Sequence, residues 1–300
     1  MRWDSCYWGW VHWRGWAWPL RKIEADTDES PLPSTSWPPI PVFLETRCIL
    51  PAVLSLLAAA LLTIPDAAGD TRGDGSYTLP TRPALSASAL DLRELKVETE
   101  GGKLRLTVGL GAVQNPWNAP LGYSAGVLDI FVKSRLGGAS VLPGLNLTTP
   151  AQQGWQYHIR VTGFGSSLEF VPDGQSRAQP RTVQLNVRLS GSAVVLGTPI
   201  PAGQYSYWVT SSVYSPFTAD GYLRPGMGGG SASLISPRNN GPVPVDVISG
   251  GDQGREYALG VLQPVGKTRD RRAVLLLGLA AAGLLLGLVA SVRVWRRTRV

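Results

Sequence analysis

The sequence predicts an all-β fold, an antiparallel β-sandwich, followed by one C-terminal transmembrane helix. Three observations lead there. Apolar residues recur with period two in short runs parted by Gly, Pro and Ser, the pattern of half-buried strands and turns. No stretch between 70 and 265 keeps a helical period for three turns. Residues 273–292, AVLLLGLAAAGLLLGLVASV, are twenty uncharged positions followed at once by RVWRRTRV.

In chain order, residues 1–46 form a Trp/Pro-rich arm. Seven of the eleven tryptophans fall there, and no structural period runs through them. The arm is read either as a start assigned too early or as an aromatic interfacial segment. Residues 47–60 follow, with Arg47, the apolar run Ile49–Leu57 and then Ala58-Ala59-Ala60. A short apolar core closed by small residues is the pattern of an export signal cleaved after Ala60, with an uncleaved anchor as the alternative.

From Leu61 the pattern is strand-like. Leu92, Leu95, Val97 and Thr99, then Gly101-Gly102, then Leu104, Leu106, Val108 and Leu110 predict two strands around a tight turn. Val127–Val132 is a continuous apolar strand with Asp129 inside it. Trp155, Tyr157, Ile159 and Val161 alternate, as do Val183, Leu185, Val187 and Leu189; Tyr205, Tyr207 and Val209 share a face. Many short strands with frequent turn residues suit a sandwich spanning 61–240. Residues 241–272 are expected to be a linker with a basic juxtamembrane end. Twenty helical residues span roughly 30 Å, a bilayer's hydrocarbon core, which makes 273–292 the transmembrane helix. The tail 293–300 carries Arg293, Arg296, Arg297 and Arg299, and basic residues favour the cytoplasmic side. The preceding domain then lies outside the cytoplasm, at the cell surface or in the periplasm.

Charge is segmental. Residues 61–266 carry 15 basic and 14 acidic groups, whereas 267–300 carry 8 and 1. The net +7 therefore belongs to the membrane flank, which excludes a basic nucleic-acid surface on the folded part. Acidic lipid headgroups are the natural partners of the tail. Cys6 and Cys48 both precede the sandwich, so it holds no disulfide and no thiolate metal site. About 206 residues suffice for a full core without such staples.

Asp66-Ala67-Ala68-Gly69-Asp70, then Gly73-Asp74-Gly75, Tyr77 and Pro80 resemble the opening of the glucodextranase C-terminal domain family, Asp-Pro-x-Gly-Asp-Asp-x-Gly-x-Gly-x-Tyr-x-x-Pro. The resemblance continues through Asp91-Leu92, Asn115-Pro116-Trp117, Gly122-Tyr123-Ser124, the strand with Asp129, Trp155-Gln156-Tyr157 and Gly228-Gly229-Gly230, about 61–235 in all. It implies a β-sandwich of DOMON-like or jelly-roll type, related to family 9 sugar-binding modules. It also implies a role in binding polysaccharide or cell-envelope glycan rather than in catalysis, in some members beside a glycoside hydrolase. Here such a hydrolase would be separately encoded. Ala67 and Thr71 stand where the family favours Pro and a second Asp, and Val132-Lys133-Ser134 where acidic residues are common. These departures bear on any calcium the family holds.

Asp66, Asp70 and Asp74 recur every four residues in a glycine-containing loop, a source of oxygen ligands for a structural calcium ion; plain turns use the same residues. Sugar rings present apolar C–H faces that pack on aromatic planes, with polar neighbours fixing the hydroxyls. Trp117, in a Pro-bounded loop with Asn115 and Asn118, suits that task. Tyr123, Trp208 and Tyr222 are further candidates, with Arg224 or Asp220 as polar partners. Trp155 and Tyr157 are expected in the core. Gly122-Tyr123-Ser124-Ala125-Gly126 spells a nucleophile elbow, but an elbow needs a strand before the serine and a helix after it. His158 is the one histidine available as its base.

The sequence therefore predicts a non-catalytic carbohydrate-binding module on a single membrane anchor. The competing readings are a structural or adhesive envelope protein that binds other proteins, and a membrane-tethered hydrolase.

Overall fold

The structure, a computed structural model, describes residues 60–297 apart from 182, 184 and 270. The expected arm and export signal lie outside the described residues, Ala60 excepted. Strands run in the order β1 (Ala60–Pro65), β2 (Leu92–Glu100), β3 (Lys103–Leu110), β4 (Gly126–Lys133), β5 (Val141–Leu142) and β6 (Leu147–Thr148). Next come β7 (Tyr157–Thr162), β8 (Gly165–Phe170), β9 (Gln179–Arg181), β10 (Asn186–Ser190) and β11 (Ala193–Pro201). The last are β12 (Ser206–Val213), β13 (Pro225–Gly226), β14 (Leu234–Ile235), β15 (Pro244–Ile248) and β16 (Val265–Gly266). The α-helices among the described residues are α1 (Gln253–Leu259) and α2 (Arg271–Arg297).

One sheet has the order β1-β2-β3-β11-β10, and the other β15-β12-β4-β7-β8-β9, with β16 also on β12. All pairings within both sheets are antiparallel. The all-β sandwich is thus the observed architecture. The β2–β3 turn falls at Gly101-Gly102, whose φ values of 57° and 75° are left-handed, as a two-residue hairpin requires. A bulge between Leu92 and Glu94 lets both Leu92 and Leu95 face the core despite their three-residue spacing.

Between the sheets lies one core. It includes Leu95, Val97, Leu106 and Val108 from the first sheet and Ile130, Val132, Ile159 and Val209 from the second. The second sheet is also covered on its outer face, where Phe131, Trp155, Trp208, Tyr222 and Tyr257 pack with Leu142, Leu147 and Leu262. Strands buried on both faces read as continuous apolar runs, which accounts for Val127–Val132.

That covered face holds a charged network. His158 Nε2 lies 2.8 Å from Asp129 Oδ1, and Nδ1 lies 3.2 Å from Glu169. Tyr222 donates its hydroxyl to Asp129 Oδ2 at 2.8 Å and accepts from Arg160 Nε at 3.1 Å. The Arg160 guanidinium sits 4.1 Å from the Tyr222 ring centre. Two carboxylates thus face an imidazole and a guanidinium. Burial disfavours a charged His158, but the hydrogen bonds and charges of Asp129 and Glu169 outweigh it and raise the imidazole pKa.

The expected linker is corrected by the fold. Within 241–267, β15 pairs with β12 through Val209–Ser212 and is wholly buried, and β16 pairs with Ser206 and Tyr207. Asp252 caps α1 by accepting the Arg255 N–H, and Gly260 ends it at φ 67°. The apolar pattern was broken by Gly and Pro at the turns between these elements, which made folded strands resemble a spacer. Beyond them, Leu275–Trp295 of α2 has mean hydropathy 2.4 and is long and apolar enough to cross a membrane.

Removing Asp129 as Asp129→Ala leaves the buried His158 with Glu169 alone and the partly buried Arg160 without its nearest carboxylate, and is expected to cost about 3 kcal/mol in denaturant unfolding. The raised His158 pKa has a definite sign. The imidazolium contributes stability in full below its unfolded pKa of about 6.5, and that contribution is lost as pH rises through the higher folded value. NMR titration of His158 should give a midpoint above about 6.5, and His158→Gln should remove this part of the stability loss.

Candidate functional site

One end of the sandwich is set by where β4 begins and β12 finishes, because Gly126 pairs with Val213. Three loops meet there. The loop before β4 is held by Asn115, which accepts from Ala119 N and Ser124 Oγ at 2.8 and 2.7 Å and donates Nδ2 to Ala119 O. Ser124 Oγ in turn accepts from Trp117 N at 3.0 Å. This rigid loop presents the half-buried Trp117, whose ring meets Phe217 edge-on at 5.8 Å and 85°. Phe217, on the loop after β12, is 85% exposed. Beside it, Tyr214 lies at 5.5 Å and 31° from Phe164, which is half exposed on the β7–β8 turn. Trp117, Tyr214 and Phe217 line a cleft with Pro80, Pro83 and Leu223. Two ring pairs thus open one end of the fold to solvent.

The sequence candidates separate in this frame. Trp117 is in the aromatic strip, and both ends of the Asn115 amide are engaged within its own loop. Tyr123, Trp208 and Tyr222 are wholly buried. Stacking on a sugar needs an accessible ring face, so their burial corrects the expectation that they contact carbohydrate. Trp208 donates Nε1–H to Leu262 O, and Tyr222 belongs to the Asp129 network. Asp220 and Arg224 form a bidentate pair on the loop carrying Phe217. Phe164 and Phe217 carry no sequence signal because an exposed aromatic in a turn has no periodic signature, and the partly buried Tyr214 falls just past the end of β12.

The pentapeptide Gly122–Gly126 is not an elbow, since Ser124 precedes a strand and its hydroxyl is engaged by Asn115 and Trp117. Both ring nitrogens of His158 meet carboxylates.

A second cluster lies at the β1–β15 corner. Asp66 follows β1, Asp70 comes from the next loop, and Asp246 is on β15 opposite Ser211. One carboxylate oxygen of each lies within 4.8 Å of the others. Oxygens that share a calcium ion at 2.3–2.6 Å are separated by at most about 5 Å, so the spacing fits. Asp66 Oδ2, Asp70 Oδ1, Thr71 Oγ1 and Gln253 Oε1 are buried without a hydrogen-bond partner, although Gln253 Nε2 donates to Asp70 O and Gly73 O. An all-oxygen donor set with buried unused lone pairs suits a hard cation. Burial, reinforced by the neighbouring carboxylates, pushes Asp66 up to about 7 and Asp246 up to about 8; burial likewise raises Asp70.

Asp74 does not join this cluster. It accepts from Ser76 Oγ and pairs with Arg238 at 3.5 Å. The turn between Asp70 and Asp74 depends on Gly73, whose φ is 59° and where a Cβ would fall 2.3 Å from the Tyr77 ring. That turn sends Asp74 away, and its place is taken by Asp246, distant in sequence. The turn is held in place by Gly73 N, which donates to Val245 O at 2.8 Å.

No curated protein matches the chain. The resemblance noted over about 61–235 is matched by a family model over 61–202, a segment that includes the Asp66–Pro80 loop, the Trp117 loop and β2 to β11. Over those residues the chain matches the model of the family described as the C-terminal binding module, SLH-like, of glucodextranase.

Proposed function

We propose that the sandwich is a non-catalytic carbohydrate-binding module, displayed outside the cytoplasm on α2, that contacts glucan or cell-envelope polysaccharide through Trp117, Phe217, Tyr214 and Phe164. The observation that carries this reading is the partly exposed aromatic strip in a chain whose residues 61–202 match a binding-module family. Edge-to-face and tilted ring pairs give a stepped apolar surface, to which the C–H faces of successive sugar units can apply. Asn118 and Arg82, both exposed at the strip, and the Asp220–Arg224 pair supply polar groups for hydroxyls.

We further propose that Asp66, Asp70 and Asp246, with Gln253 and Thr71, hold a structural calcium ion. The ion would neutralise buried carboxylates and fasten the loop after β1 to β15 and α1. Asp74 serves that loop through Arg238 rather than as a ligand.

Phe217→Ala is expected to weaken glucan binding about tenfold, from ~60 Å² of lost apolar contact at about 25 cal/mol per Å². Trp117→Ala should do at least as much. Affinity electrophoresis or calorimetry on a polysaccharide panel measures both; unaltered affinity in the double variant rejects the aromatic strip as the site.

Calcium at about 100 times its dissociation constant should stabilise the domain by about 2.7 kcal/mol, seen as a rise in Tm that a chelator reverses. Asp246→Asn should abolish the increment. Because these carboxylates bind protons up to about 7 and 8, the increment should shrink as pH falls below that range. A Tm indifferent to calcium at pH 8 excludes the site.

A further inference from the structure

We propose that the opposite end of the sandwich rests on the bilayer that holds α2, and that a groove there receives an anionic phospholipid headgroup. The groove is lined by Leu62, Gln204, Tyr205, Tyr207, Gly266 and Lys267. The inference rests on the membrane-spanning reading of α2.

Three observations place lipid at this groove. First, the chain leaves the fold here without slack. Thr268 Oγ1 donates to Lys133 O at 3.0 Å and accepts from Ser206 N at 3.0 Å, and Arg269 N donates to Gln204 O at 3.0 Å. α2 begins two residues later at Arg271, and its apolar span begins at Leu275. The helical rise from Arg271 to Leu275 is about 6 Å. The headgroup layer on one side of a bilayer is about 5–8 Å thick. The groove wall at Gln204 and Lys267 must therefore stand at headgroup level.

Second, the charge is complementary. Residues 267–272 hold four basic groups and one acidic group, and Lys267 and Arg269 are exposed. The carboxylates on the neighbouring hairpin end have basic partners already, Glu98 with Lys96 and Glu100 with Arg105. Third, the lining combines an apolar floor with tyrosine and lysine, the residue types that settle at a membrane interface.

The test places the full chain in nanodiscs of phosphatidylcholine alone or mixed with phosphatidylglycerol, and follows amide hydrogen exchange in 202–207. Exchange should be about fivefold slower in the anionic discs, the factor one lysine near an anionic surface supplies. Lys267→Glu should erase that difference, whereas Arg188→Glu, an equal charge change on exposed β10, should preserve it. Equal exchange in the two lipids with the chain embedded overturns the proposal and leaves the membrane reading standing. Equal protection in both lipids and in detergent overturns it too, by assigning the groove to the segment preceding Ala60. A chain that fails to enter the discs overturns the membrane reading itself.

Discussion

Every residue of β4 and of β12 is buried, so the second sheet is a wall with apolar matter on both sides. That constraint organises the rest. A two-sided sheet needs a second cover, supplied by the β5–β6 hairpin, α1 and the loops carrying Trp155 and Tyr222. Any polar side chain on the covered face must also find partners inside the protein, because an unpaired charge there costs several kcal/mol. Asp129 is such a residue, and its oxygens are matched by His158, Tyr222 and Arg160. The network therefore reads as the internal neutralisation of a buried strand, which explains why the domain's one histidine serves structure.

The strands were legible from sequence because their side chains alternate. The β2–β3 hairpin carries its own turn residues, and β4 shows a continuous apolar run. Segment 241–267 was not legible, since β15 is five residues long and β16 two, with Gly and Pro in and around both. Their stability comes from β12, a partner that no local pattern announces. The candidate sites divide the same way. Trp117 stood out because proline and asparagine frame it, whereas Phe217 and Tyr214 reach it only through the ending of β12 beside the start of β4. The acidic loop was visible, but spacing by four says nothing about a backbone that reverses at Gly73. Asp246 lies 176 residues after Asp70, and only sheet pairing brings it near.

The family match ends at residue 202, yet β12, β15 and α1 lie beyond it and complete the aromatic strip and the carboxylate cluster. Tyr214 and Phe217 follow β12, Asp246 sits on β15, and Gln253 opens α1. The two cores make the same point, since Val209, Val245, Trp208 and Leu262 are as buried as anything within the matched segment. A cut at residue 202 would remove the strand on which β4 depends and leave the apolar faces of β4 open to water. The folding unit therefore extends to the edge of α2.

β12 also gives the two ends of the sandwich different surroundings. At Ser206 the strand is tied to Thr268, one short turn from the apolar helix; at Val213 it opens into the loop that carries Phe217. Seven steps of about 3.3 Å each separate these points by roughly 23 Å along the strand. On the proposed reading, with α2 as anchor tied to the fold by hydrogen bonds, a polymer outside the membrane meets the aromatic strip before it meets lipid. A flexible spacer would let the strip turn toward either the bilayer or the polymer. The pairing of β15 and β16 with β12 uses up the residues such a spacer would need, and so ties the direction of the proposed binding surface to the direction of one strand.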